Sequence, residues 1–281
     1  MTKPGPLVLV AVVVVIAAGV VLVSGGRLPW IDGDSSTPAS APDSCGIPQS
    51  VNVDPTAAAS GVRVVDQGLP QADNGQLSLG VVLENTSDKV AYRTRVTYKL
   101  FDAGHSPITR TYLTDAVIPV MLPGQRVGAG VSDLQDSPKA ASLEVQIGTT
   151  TWLPRDALGG FSPVTAKYLR TRPSPPGSPP LVSVDYHETS ANCRPLYPAK
   201  VGAVFRDAGG KIVGGDLVDS TIGFMTYDEQ HKAVVPELAP PTPECAPGER
   251  DTWIVPHTGR VPAMDDARTE IYPFCDIQSI S

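Results

Sequence analysis

The chain has 281 residues, enough for two domains of ordinary size with their own cores. A net charge of −7 with only 22 lysines and arginines offers no electrostatic footprint for nucleic acid, which is excluded as a partner on that ground. Its 29 prolines and 26 glycines exceed the usual share and favour short strands and turns over long helices.

Residues 7–23 (LVLVAVVVVIAAGVVLV) are an apolar run without a charge. As a helix the run would span about 26 Å, and its neighbours extend it toward the ~30 Å hydrocarbon thickness. Lys3 precedes it, so the positive-inside rule leaves a short cytoplasmic stub and puts everything after Arg27 outside. The expectation is a single-pass cell-membrane protein anchored through residues 1–26, with its C-terminal part extracytoplasmic. The alternative is a signal peptide cleaved near Val23-Ser24-Gly25, giving a secreted protein; the run is long for a signal sequence, which favours the anchor. Residues 27–59 are rich in Ser, Pro and Ala and read as a flexible spacer.

Beyond the spacer the pattern has period two. Leu77, Leu79, Val81 and Leu83 alternate with Ser78, Gly80, Val82 and Glu84. Tyr92, Thr94, Val96, Tyr98 and Leu100 alternate with Arg93, Arg95, Thr97 and Lys99. This predicts antiparallel strands with one buried face. Asn85-Thr86-Ser87-Asp88 and Asp102-Ala103-Gly104 are the turns between them, and Val127–Val131 and Leu143–Ile147 add further strands. Six or so short strands with polar turns predict a β-sandwich over 60–152.

The phrase at 92–104 is then written again at 197–209. Tyr92, Val96, Asp102, Ala103 and Gly104 recur as Tyr197, Val201, Asp207, Ala208 and Gly209, while Arg95 becomes Lys200 and Leu100 becomes Phe205. Such a repeat predicts a second sandwich over 161–277 behind a short linker, 153–160. Residues 164–169 answer to 62–65 and 181–186 to 77–83. Cys245-Ala246-Pro247-Gly248-Glu249 stands where Leu122-Pro123-Gly124-Gln125 stood. The second copy also carries a long inserted loop, 220–244.

Tyr98-Lys99-Leu100-Phe101-Asp102 and Ala203-Val204-Phe205-Arg206-Asp207, each followed by Ala-Gly and later by Pro-Gly-Gln or Pro-Gly-Glu, resemble the FxLYD motif. The motif's Leu-Tyr-Asp stands here as Leu-Phe-Asp and Phe-Arg-Asp. The resemblance covers both predicted sandwiches. It implies small immunoglobulin-like domains of bacterial extracytoplasmic proteins, often behind one membrane anchor, without catalytic activity or an established ligand. In physical terms, Leu100 and Phe205 fill the core at a strand end. Asp102 and Asp207 open a turn by accepting backbone N–H bonds, and Gly104 and Gly209 supply a positive φ. That turn role explains both acids better than metal ligation does.

Cys45, Cys193, Cys245 and Cys275 all lie on the expected outer side, none in a Cys-x-x-Cys pair and none with a histidine at zinc spacing. Two disulfides in an oxidising compartment are expected, and no metal or cofactor. Following the strands up and down brings all four cysteines to one junction between the sandwiches. One bond should then lie within the second sandwich and one should run from Cys45 across the junction. Which cysteine bonds Cys45 does not follow from topology; Cys193–Cys245, leaving Cys275 for Cys45, is favoured.

The four histidines are scattered, and no nucleophile elbow, phosphate loop or Ser-x-x-Lys motif occurs, so no enzyme is expected. Phe224, Met225 and Tyr227 in the inserted loop are candidate partner-binding residues, against the plainer reading that they cover the sandwich. The expected function is a non-enzymatic envelope module that is structural or binds an envelope protein or polymer. The alternative is an accessory or sensor subunit of a membrane complex whose outer domains bind a ligand.

Overall fold

A computed structural model describes residues 45–52, 57–58, 60–69, 77–108, 115–132, 140–173, 182–219, 226–227, 233–234, 245–256 and 263–279. The apolar run at 7–23 and the spacer up to residue 44 lie outside the described residues. Among the described residues no helix is long and apolar enough to cross a membrane.

The first half contains β1 (Ala57–Ala58), β2 (Val62–Gly68), β3 (Leu79–Asn85), β4 (Val90–Phe101), β5 (Pro107–Ile108), β6 (Asp115–Met121), β7 (Arg126–Val131), β8 (Ser142–Ile147) and β9 (Thr149–Leu153). They form two antiparallel sheets, β2-β3-β7 and a second one built on β4. β4 pairs with β6 and β5 along one side and with β9 and then β8 along the other, while β1 adds to β9. The second half contains β10 (Thr165–Pro173), β11 (Val182–Ser190), β12 (Tyr197–Arg206), β13 (Ile212–Asp219), β14 (Thr226–Tyr227), β15 (Ala233–Val234), β16 (Gly248–Ile254) and β17 (Glu270–Asp276). Its two larger sheets are β10-β11-β16 and β13-β12-β17, so the strand order of the first half returns. The expected strands at 92–100 and 197–205 are β4 and β12. The sole helical element among the described residues is one 3-10 turn, Asp266–Arg268.

β6 and β13 carry the chain back from the Asp102 and Asp207 turns. Alternation does not reveal β6, because Pro119 interrupts it and Val117 faces outward with 37% exposure. Each half closes a core between its two sheets. Leu79, Val81, Leu83, Val96, Tyr98, Leu100 and Ile118 fill the first, and Val184, Tyr186, Val201, Ala203, Phe205 and Ile271 the second. Leu100 and Phe205 are buried, as their place in the repeat requires.

β3 does not follow the expectation of one buried face. Both of its faces are covered, because sheet β2-β3-β7 lies against sheet β13-β12-β17 of the second half. Glycines make the close approach. A Cβ on Gly202 would stand 2.1 Å from the Gly128 carbonyl oxygen, one on Gly80 2.4 Å from that of Gly214, and one on Gly215 2.7 Å from the Gly80 Cα. Val82, Val204 and Ile212 form a small apolar cluster in this seam. The Ser78 hydroxyl donates to the Gly215 carbonyl at 2.9 Å and accepts the Gly215 N–H at 3.0 Å. At its margin Arg206 Nη1 donates to Asp66 Oδ2 at 2.5 Å. The described residues thus build four stacked sheets within one compact unit, Asp43–Ser281.

Candidate functional site

The four cysteines meet at the junction, as the strand walk requires. The pairing is Cys45–Cys193 and Cys245–Cys275, which corrects the favoured Cys193–Cys245. Cys245 stands just before β16, in the sheet with β11, and Cys275 is in β17, in the sheet with β12. Their bond therefore ties the two sheets of the second half together, a role that Cys193, in the loop after β11, does not fill. Cys45, Ile47, Val90, Tyr92, Leu153, Leu158, Cys245 and Cys275 share one apolar cluster there.

Residues 45–52, which composition assigns to the spacer, form a strap over this cluster. Ile47 is buried and Val51 packs beside it. Arg194 Nη2 donates to the Pro48 carbonyl at 2.7 Å, and the Val51 N–H donates to Gln278 Oε1 at 2.9 Å. The C-terminal end is latched to the same place. Tyr92 Oη donates to Asp276 Oδ1 at 2.6 Å and Arg93 Nε to Asp276 Oδ2 at 3.0 Å, while Arg93 Nη2 reaches the carbonyls of Gln278 and Ser279. Arg93 adopts a φ of 52°, a left-handed conformation costing about 1–2 kcal/mol for a residue with a Cβ. It sits where β4 exchanges β9 for β8, and the irregularity turns its guanidinium toward Asp276.

The turn residues behave as a pair, with one correction. Asp102 Oδ1 accepts the Ser106 N–H at 2.8 Å and Asp207 Oδ1 the Lys211 N–H at 2.9 Å. The positive φ falls not on Gly104 and Gly209 but one residue later, on His105 (60°) and Gly210 (86°). Gly104 and Gly209 are small for a different reason. A Cβ would press on the aspartate oxygen of the same turn, at 3.3 and 3.2 Å. Phe224 and Met225 of the inserted loop lie outside the described residues. Tyr227 falls in β14, which pairs with β15 as a short hairpin.

Described residues form two concavities of note. A cleft of about 370 Å³ runs between β6, β7, β17 and the entry to β10, walled by Phe161, Pro163, Tyr272 and Pro273. Pro119 and Pro273 lie in the strands that border it, where a missing N–H opposes addition of a further strand. The second concavity is a shallow hollow of about 510 Å³ on the outer face of β10-β11-β16, lined by Leu169, Arg170, Arg172, Asp185, Asp251 and Trp253. Asp185 lies between Arg170 and Trp253 in the ladder. Arg170 Nε reaches its Oδ2 at 2.8 Å and Arg172 Nη2 its Oδ1 at 2.7 Å. Burial pushes the Asp185 carboxyl up, but the bonds from Arg172 and Arg170 outweigh it and leave it below the usual carboxylate range. Beside it, the Asp251 hydrogen bond at 2.7 Å raises the His187 pKa despite some desolvation, with help from Glu249. Leu169, 44% exposed, completes the rim.

Sequence reasoning passed over both concavities, since Trp253 and Arg170 stand in separate strands that only the sheet brings together. Comparison with protein-family models, with curated proteins and with solved structures finds no match. Among the described residues no group of three His, Cys, Asp or Glu is placed to hold a metal ion. The two disulfides suggest an oxidising, extracytoplasmic environment.

Proposed function

We propose that the protein is a non-enzymatic interaction module of the cell envelope, two immunoglobulin-like halves held outside the membrane by the apolar segment 7–23. The observation that carries this reading is the outer face of β10-β11-β16. Its counterpart in the first half, β2-β3-β7, is already a protein interface, glycine-lined and covered by a sheet. In the second half no described sheet covers the same face, which brings Trp253, Arg170, Arg172 and Leu169 around one hollow. Tryptophan and arginine are the residue types that dominate binding energy at protein interfaces, and here both guanidinium groups are held in place by Asp185. The disulfides support the compartment, and the FxLYD resemblance implies domains without catalytic activity.

The test is cross-linking in intact cells from a photoreactive residue placed at Leu169. A discrete adduct that disappears in Trp253→Ala and Arg172→Ala, with both variants retaining the parent's thermal midpoint, is the expected result. Adducts indifferent to both substitutions would remove the hollow as the contact. Protease added to spheroplasts should digest the chain beyond the anchor, and recovery of a mature protein starting near Gly26 would replace the anchored form by a secreted one.

A further inference from the structure

The two disulfides differ in what can reach them. Cys193 is exposed in the loop after β11, whereas Cys45, Cys245 and Cys275 are only 6%, 0% and 5% exposed. Thiol–disulfide exchange requires a thiolate to approach one sulfur along the S–S axis, so access decides which bond reacts. Cys193 provides that access for one bridge. The other bridge lies inside the junction cluster with both residues buried. Arg194 follows Cys193 directly and is bonded to the Pro48 carbonyl of the strap, so a cation flanks the exposed bridge, and positive charge favours a departing thiolate.

We propose that Cys45–Cys193 is a thiol-exchange site, reduced by a dithiol while Cys245–Cys275 stays closed, and that its reduction unclasps the strap 45–52 from the junction. In the first step one thiolate of the dithiol bonds to Cys193 Sγ. The S–S bond breaks, its electron pair goes to Cys45 Sγ, and that thiolate takes a proton from water. The second thiol of the reductant then attacks the mixed disulfide and releases Cys193. The protein gains two electrons and two protons, and the dithiol becomes a disulfide.

The strap is positioned to respond. Its noncovalent hold includes Cys45, Ile47 and Val51 on the cluster and the hydrogen bonds at Pro48 and Val51. It also lies directly on the turn between the halves. Gly159, at a φ of 54°, is so close beneath it that a Cβ would stand 1.8 Å from the Gly46 carbonyl oxygen. Once the covalent tie is open, the strap is a short segment without regular structure at the edge of the folded unit, the kind that opens locally at small free-energy cost. Its departure uncovers Tyr92, Leu153 and Leu158 and frees the turn that joins the two sandwiches.

The experiment uses the full chain in mild detergent, exposed to graded dithiothreitol and alkylated at intervals. Peptide mapping should find Cys45 and Cys193 labelled together at least tenfold faster than Cys245 and Cys275. Equal rates, or earlier labelling of Cys275, would overturn the assignment. Amide hydrogen exchange on the partly reduced protein should then show residues 46–51 exchanging at least tenfold faster, with β12 and β17 unchanged. The double variant Cys45→Ser, Cys193→Ser should show the same strap exchange without any reductant. A strap as protected in that variant as in the parent would sink the unclasping step.

Discussion

Two tyrosines of β4, six residues apart, should respond in opposite ways to the same substitution. Tyr92 donates its hydroxyl to the buried Asp276, and removing it leaves a carboxylate short of a donor. Tyr92→Phe should therefore lower stability by about 1.5–3 kcal/mol, the range for hydrogen bonds to charged groups. The Tyr98 hydroxyl is equally buried, and no partner for it exists among the described residues. Tyr98→Phe removes an unpaired polar group and should be neutral or stabilising by up to about 1 kcal/mol. Tyr197, the repeat partner of Tyr92, is 48% exposed, and Tyr197→Phe should stay within about 0.5 kcal/mol. Urea denaturation of the three variants tests all of this, and equal losses at 92 and 197 would contradict it. The comparison also shows how far the repeat could be read. The spacing made both tyrosines strand residues, and that holds. What separates them is the last strand, since β17 brings Asp276 under Tyr92, and no local pattern near 92 reports a partner 184 positions away.

At the scale of elements, the glycines of the strands carried information that alternation concealed. Period two made Gly80 and Val82 the solvent face of β3, yet glycine inside a strand is also the mark of another backbone coming close. Gly80, Gly128, Gly130, Gly202 and Gly215 all play that part, each with a Cβ position blocked by the opposite half. The apolar runs LGVVL in β3 and VGAVF in β12 read as strands covered on both faces once the opposing sheet is known. The turn roles of Asp102 and Asp207 were legible because their chemistry is local. The seam was not, because two sheets far apart in sequence have to be brought together before it exists. Gly202→Ala should force the central sheets apart and cost about 1–3 kcal/mol, as overpacking does. Gly104→Ala, which meets only an exposed aspartate oxygen, should cost less. A Gly202→Ala protein with parental stability would mean that the sheets are not in contact there.

For the whole molecule, the seam stacks the described sheets of the two halves into four layers. It joins non-equivalent sheets of the repeat, an arrangement that could in principle continue head to tail. The two open faces prevent this with side chains that the seam lacks. With the matching bulges of β2-β3 and β10-β11 aligned, Asp185 stands at the place of Val82 and Trp253 at that of Gly128. On the far face Thr97 and Lys99 take the places of Gly202 and Val204. Covalent ties add to the seam: in the chain-entropy account the closures of 148 and 30 residues contribute about 5 and about 4 kcal/mol. A unit held together in this way should fail as a whole at high pH, because tyrosines are distributed through its layers. Burial raises the pKa of Tyr98 and Tyr186, the latter with help from the Glu188 charge. Burial also raises Tyr92 and Tyr272, aided by hydrogen bonds to Asp276 and Glu270. The folded state keeps these protons while the unfolded chain releases them above about 10, so the unfolded state binds fewer protons and stability falls as pH rises. The contribution is present in full below about 10. Above that it is lost by at most about 1.4 kcal/mol per pH unit for each of the deeply buried Tyr98 and Tyr186. Absorbance at 295 nm and far-ultraviolet circular dichroism, followed together from pH 8 to 12, should show Tyr92, Tyr98, Tyr186 and Tyr272 ionising only with loss of the sheet signal. If all eight ionise near 10 while the sheets persist, the tyrosines are not held in the buried layers described.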